Sequence, residues 1–221
     1  MPTTVQIPDY EVHKRLMLDS ASTALVIIDM QNDFVRDEGT LQVRDAPGTV
    51  AAISRLLELA RDSEMRVVFS QDTHDPGDPE FEIWPEHALR GTWGWEIIDE
   101  LTPGDGELVV QKVRYDACYG TQLDHMLRLW NVQTIVLCGT VANICVHYTA
   151  ASAALRWYDV VVPKDATSAL TPFDLESSLR QITFLFNGRV TESGRIKVEH
   201  ANDDVYRSKI EEAAAEVSRD H

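Results

Sequence analysis

The sequence predicts an α/β protein of three layers, in which a five- or six-stranded, mainly parallel sheet carries helices on both faces. Two observations lead there. Short apolar runs alternate along the chain with longer segments of helical spacing, the pattern of strand–helix–strand units. The chain has 221 residues, 44% apolar and 25% charged, which suits one globular α/β domain able to bury a full core. No internal repeat, low-complexity tract or linker divides it, so a single domain over residues 1–221 is expected. Residues 1–20 would be an N-terminal extension and residues 203–219 a C-terminal helix.

The elements follow in order. Residues 24–28 (ALVII) are the first strand, and residues 49–61, apolar at three- and four-residue spacing, the first helix. Residues 66–70 (RVVFS) are the second strand. A loop rich in Pro, Gly and Trp leads to the third, residues 107–111 (ELVVQ). Residues 123–129 form a helix, 134–138 the fourth strand, 146–157 a helix and 160–162 the fifth strand. Thr171 reads as an N-cap followed by Pro172 at the first helical position, which opens another helix. Residues 189–191 fit a sixth strand. In the last segment Val205, Ile210, Ala213 and Val217 fall along one side of a charged helix.

Charge and composition exclude several function classes. A formal net charge of −16 repels nucleic acid and anionic membrane surfaces. No apolar run is long enough to span a bilayer, and the opening MPTTVQIPDYEVHKR has no signal-peptide core. With three cysteines, an odd number, the thiols are expected to be reduced and the protein cytoplasmic.

In an open parallel sheet, ligands gather at the carboxyl ends of the strands. Three reactive side chains follow such ends: Asp29 after the first strand, Lys112 after the third and Cys145 after the fourth. A cysteine near a helix start and a lysine is expected to have a lowered pKa, and a nearby carboxylate can take its proton. Cys138, inside an apolar strand, reads as a buried hydrophobe, and Cys118 as a loop residue. Asp72 and His74, two apart at the end of the second strand, are followed by His87 after a short loop. One carboxylate and two imidazoles suit Zn, Fe or Mn with positions left for water.

Taken together, residues 25–34 (LVIIDMQNDF), 110–112 (VQK), Tyr115, 119–121 (YGT) and 139–146 (GTVANICV) resemble the isochorismatase-like cysteine hydrolases. That superfamily includes nicotinamidases, N-carbamoylsarcosine amidases, ureidoacrylate hydrolases and biuret hydrolases. The resemblance covers roughly residues 22–195 in unbroken order. It implies an Asp29, Lys112, Cys145 triad on an isochorismatase-like, Rossmann-like sheet. It also implies a cis peptide bond between Thr140 and Val141, and an oxyanion hole from the Val141 and Cys145 amides. Phe34, Trp84 and Tyr115 occupy positions that wall the substrate pocket in relatives, and Asp72, His74 and His87 match the metal ligands of nicotinamidases. Ala142 stands where relatives usually carry Thr, which removes a hydroxyl near the site.

The implied activity is cysteine-dependent hydrolysis of a small-molecule carboxamide through a thioester, releasing ammonia or an amine. It needs no organic cofactor, and one divalent metal ion is expected at the histidines. A ureido or carbamoyl amide handled by the same triad, and a ligand-binding member of the fold without catalysis, are the alternatives. True isochorismatases generally lack the nucleophilic cysteine, so Cys145 argues against vinyl-ether hydrolysis. Members of the family commonly form homo-oligomers, dimers or tetramers.

Overall fold

The structure, a computed structural model, describes residues 6–199; the C-terminal helix expected over residues 203–219 lies outside them. Its strands are β1 (Val12–His13), β2 (Leu16–Asp19), β3 (Thr23–Ile28), β4 (Arg66–Asp72), β5 (Leu108–Lys112), β6 (Thr134–Thr140), β7 (Asp159–Pro163), β8 (Thr167–Ser168), β9 (Arg189–Thr191) and β10 (Ile196–Glu199). The helices are α1 (Asn32–Val35), α2 (Ala46–Asp62), α3 (Leu123–Leu129), α4 (His147–Ala154) and α5 (Pro172–Phe186).

The main sheet is parallel, in the order β1-β9-β7-β6-β3-β4-β5, with β8 added beside the end of β6. It therefore has eight strands, more than the five or six expected, because β1 and β8 are two residues each and too short to show a hydrophobic period. Residues 12–19, assigned in sequence to an extension, supply β1 to the main sheet and β2 to a parallel pair with β10. The helix expected over residues 146–157 is α4, which starts one residue later and ends three earlier, after a distinct turn over Ala142–Val146.

Alternation along the central strands sorts their side chains into two cores. Leu25, Ile27, Val67, Phe69, Val136 and Cys138 pack on one face against Ile53, Leu56 and Leu57 of α2. Ala24, Val26, Ile28, Val68, Ile135 and Leu137 pack on the other against Leu127 of α3, Ala150 of α4 and Ile182 of α5. Burying one of the Val, Leu, Ile or Phe side chains among them contributes about 1.5–3 kcal/mol. Every residue of β3 is buried, which makes it the strand around which both layers are organised. Among the described residues, no helix is long and apolar enough to cross a membrane.

The caps match the local sequence. Thr171 accepts a hydrogen bond from Asp174 N–H at the start of α5, Pro172 follows it, and Asn187 ends the helix in the left-handed region at φ 52°. Gly139 has φ +112°, and a Cβ there would fall 2.1 Å from the Ile28 carbonyl oxygen, so only glycine lets β6 lie this close to β3 beside the site.

Candidate active site

Three parallel strands deliver the reactive groups to one rim. Asp29 follows β3 at φ 49°, Lys112 is the last residue of β5, and Cys145 lies five residues beyond β6. Cys145 is carried by the Ala142–Val146 turn, which the Val146 N–H closes on the Val141 carbonyl at 3.2 Å. The Thr140–Val141 peptide bond that leads into this turn is cis, as the family resemblance implies. In the β4/β5 register Asp72 stands opposite Lys112, which brings a second carboxylate to the ammonium.

Lys112 Nζ is the hub. It lies 2.8 Å from Asp29 Oδ2 and 2.9 Å from Asp72 Oδ1, and it donates to Cys145 Sγ at 3.6 Å. The contact with Asp29 Oδ2 is ionic without hydrogen-bond geometry, and that oxygen receives no hydrogen bond from the described residues. Asp29 Oδ1 accepts from the Ser70 hydroxyl at 2.6 Å. Burial alone would lower the Lys112 pKa, yet Asp29 and Asp72 hold it well above the ordinary lysine value, so the ammonium stays charged. Burial raises the Asp29 pKa against the pull of Lys112, and Asp72 adds to the rise, so Asp29 is a stronger base than an exposed aspartate.

The thiol differs from the expectation. A lowered Cys145 pKa was anticipated from the neighbouring lysine, but the structure raises it well above the ordinary thiol value. Burial is the largest cause, Lys112 opposes it, and the carboxylates of Asp29 and Asp72 reinforce it. The resting residue is a neutral thiol next to a base. Cys138 is fully buried in the α2-side core, as expected, and Cys118 is also buried.

Asp72 joins this cluster to a second one. Its Oδ2 lies 3.2 Å from His74 Nε2 and 3.4 Å from His87 Nε2, and ligand atoms of Asp72, His74, Glu80 and His87 all fall within 4.8 Å of one another. His87 Nδ1 sits 2.7 Å from the Pro85 carbonyl oxygen, which can only accept, so that nitrogen carries the proton. His74 Nδ1 faces Asp78 Oδ2 at 3.0 Å in the same sense. Each neutral ring then turns an Nε2 lone pair toward an anionic oxygen, an arrangement that needs a proton or a cation between them. Burial disfavours the charged His74, but Asp72, Asp78 and Glu80 outweigh it and push its pKa up to about 8. The donor set of two imidazoles and two carboxylates fits a divalent transition metal. Glu80 is absent from the sequence assignment; it reaches the cluster from the Pro79–Glu82 turn, six residues after His74. A run of charged residues gave no periodic signal for it.

One cavity opens onto both clusters. Asp29, Asp72 and Cys145 line it together with Phe34, Trp84, Tyr115 and Val141, so the side chains singled out in sequence for the pocket share one space. Trp84 Nε1 donates to the Tyr115 hydroxyl at 3.0 Å, and Phe34 meets the His87 ring edge-on at 5.6 Å between centroids. Leu41, Val43, Ile144 and Leu170 complete the apolar wall and were not distinguishable in sequence from core residues. The MQND segment has a different role from the pocket. Gln31 Nε2 donates to the Asp72 and Trp95 carbonyls, Asn32 Nδ2 to the Trp93 carbonyl, and Asp33 accepts from the Thr40 and Ala88 N–H groups. These buried amides and carboxylate tie down the long β4–β5 loop that carries His74, Glu80, Trp84 and His87.

The fold and this rim define a family. The isochorismatase domain model matches residues 23–193, and the chain belongs to the isochorismatase family. It is a hydrolase of the isochorismatase-like cysteine hydrolase superfamily. It is 32% identical over 219 residues to the ureidoacrylate amidohydrolase RutB of Methylorubrum extorquens, covering 87% of this chain and 88% of that protein. The crystal structure of N-carbamoylsarcosine amidase from Thermoplasma acidophilum superposes with a TM-score of 0.72 at 38% identity, over 78% of this chain and 96% of that one. The pyrazinamidase/nicotinamidase of Streptococcus mutans superposes at 0.73 with 30% identity, over 76% and 99%.

Proposed function

We propose that the protein is an amidohydrolase that cleaves a small-molecule carboxamide through a thioester on Cys145, acting on a carbon–nitrogen bond other than a peptide bond. The observation that carries this reading is the convergence on Lys112 Nζ of Asp29 Oδ2 at 2.8 Å and Cys145 Sγ at 3.6 Å. Because the resting thiol is neutral, its deprotonation belongs to the reaction. Asp29 takes the Cys145 proton as the sulfur adds to the amide carbonyl carbon. The oxyanion is received by the Val141 and Cys145 amides at the turn. Asp29 then gives its proton to the departing nitrogen, the C–N bond breaks, and ammonia or an amine leaves the acyl group on sulfur. Water, deprotonated by Asp29, attacks the thioester carbon, and the carboxylic product leaves as the proton returns to sulfur. Lys112 opposes the rise that burial gives the Asp29 pKa and balances the charge that develops on sulfur.

Asp72, His74, Glu80 and His87 would hold one divalent cation, Zn, Fe or Mn, which when bound supplies Lewis acidity beside the thiol. The likeness to a ureidoacrylate amidohydrolase favours a ureido or carbamoyl amide as the second reading, with the same residues and steps. Ammonia release over a panel of amides tests the proposal. Cys145→Ala should lower turnover by about 10⁴-fold or more while leaving the circular dichroism spectrum and melting temperature near wild type. Turnover by that variant at the wild-type rate contradicts the scheme.

A further inference from the structure

The cavity holds one hydroxyl that neither fold nor cluster uses. Thr140, the last residue of β6, is among the residues lining the cavity with Cys145; it is 1% exposed, and its buried Oγ1 has no hydrogen-bond partner among the described residues. A buried hydroxyl without a partner costs free energy, so it marks a place where a ligand atom completes the bond. Ser168, opposite Thr140 in the β6/β8 register, is also buried and unpartnered, but it does not line the cavity. Among the other lining residues, the Tyr115 oxygen accepts from Trp84 and keeps its own hydrogen to donate.

The charges lining the same space point one way. Asp29, Asp72 and Glu80 present carboxyl groups there, and among the described residues no lysine or arginine lines it. Lys112 is committed to Asp29 and Asp72, and Arg114, next to Tyr115 in sequence, pairs with Asp78 and Glu80. A divalent cation at the histidines would bring these groups to neutrality and not to a positive charge. A substrate carboxylate has no guanidinium or ammonium to receive it.

We propose that Thr140 is a specificity-determining residue whose hydroxyl, with that of Tyr115, binds an uncharged polar atom of the substrate, so that the enzyme takes neutral carboxamides and turns away amides that also carry a carboxylate. The inference rests on the amidohydrolase reading above and selects within it. It sets the substrate apart from ureidoacrylate, which bears a carboxylate, despite the likeness to the enzyme named for it. The carboxylate formed by hydrolysis meets the same acidic lining, which favours its release.

The test compares benzamide with 3-carbamoylbenzoate, which differ by one carboxylate, and adds nicotinamide and ureidoacrylate. Wild type should show kcat/KM for the neutral amides at least about 100-fold above that for the anionic ones. Thr140→Val, isosteric but without the hydroxyl, should raise KM for nicotinamide about five- to tenfold with kcat within about twofold, and Thr140→Ser should restore it. Equal or better use of the carboxylated amides, or an unchanged KM in Thr140→Val, overturns the proposal while leaving the Cys145 chemistry intact. Calorimetric binding of benzamide and 3-carbamoylbenzoate to Cys145→Ala reads the same preference without turnover. If wild type hydrolyses none of these amides, the hydrolase reading fails, and tighter binding of the carboxylated ligand overturns the specificity claim separately.

Discussion

The two clusters at the rim share one residue and behave differently. In the thiol cluster an ammonium is locked between two carboxylates and beside a sulfur, all buried, with Lys112 held charged and Cys145 held neutral. In the histidine cluster both rings face a single Asp72 oxygen, and the surrounding carboxylates push the His74 pKa up to about 8. Asp72 gives Oδ1 to the first and Oδ2 to the second. One side is a closed electrostatic unit around a thiol; the other is an open donor set of the kind that can hold a divalent metal. Position at a strand end does not itself decide chemistry: what surrounds each group decides whether it holds a proton, a charge or an ion.

Removal of the Lys112 ammonium has the largest expected effect. Lys112→Met leaves Asp29 and Asp72 buried without their counter-ion, which should cost about 3–5 kcal/mol and lower the melting temperature by roughly 6–20 °C. Calorimetry reads it, and a shift under about 2 °C would mean that the buried pair is not as tight as described. An intermediate effect comes from the other cluster. His87→Ala should weaken metal binding by about 10–100-fold or more in dialysed protein measured by elemental mass spectrometry, with the rate of Cys145 alkylation by iodoacetamide changed little. Loss of thiol labelling together with metal would show that the clusters are one unit.

The smallest expected effect is a dependence of stability on pH. In metal-free protein the folded His74 pKa of about 8 lies above the ordinary 6.5, so its contribution to stability is fully present below about pH 6.5 and is lost as pH rises through 8. The melting temperature should fall by a few degrees across that interval, and saturating metal should abolish the slope because the ion takes the proton's place. A thiol held above its ordinary value adds no titration in that interval, so a comparable slope in His74→Ala would contradict the assignment to His74.

Much of this was legible in the sequence, for reasons that differ by residue. β3, β4 and β6 are long apolar runs between turn signals, and Asp29, Lys112 and Cys145 follow such runs, so their convergence follows from a parallel sheet. Thr171-Pro172 announced α5 through capping chemistry. What stayed hidden depends on tertiary environment. β1 and β8 exist because neighbouring strands offer them hydrogen bonds, with two residues too few for any pattern. Glu80 joins the histidines because buried side chains of Gln31, Asn32 and Asp33 fold the β4–β5 loop back, contacts without a local signal. The direction of the Cys145 shift could not be read from a nearby lysine, since burial and two carboxylates outweigh it. Thr140 lies beyond the fourth strand expected over residues 134–138 and enters there only as one side of the implied cis bond, and its unpartnered hydroxyl is visible only once the cavity is formed.

The decisive experiment is mass spectrometry of protein quenched during turnover of a slow amide. An acyl adduct is expected on the peptide containing Cys145, removed by hydroxylamine and missing from Cys145→Ala. An adduct on Cys118, Cys138 or any other side chain, or steady turnover with Cys145 never acylated, would contradict it.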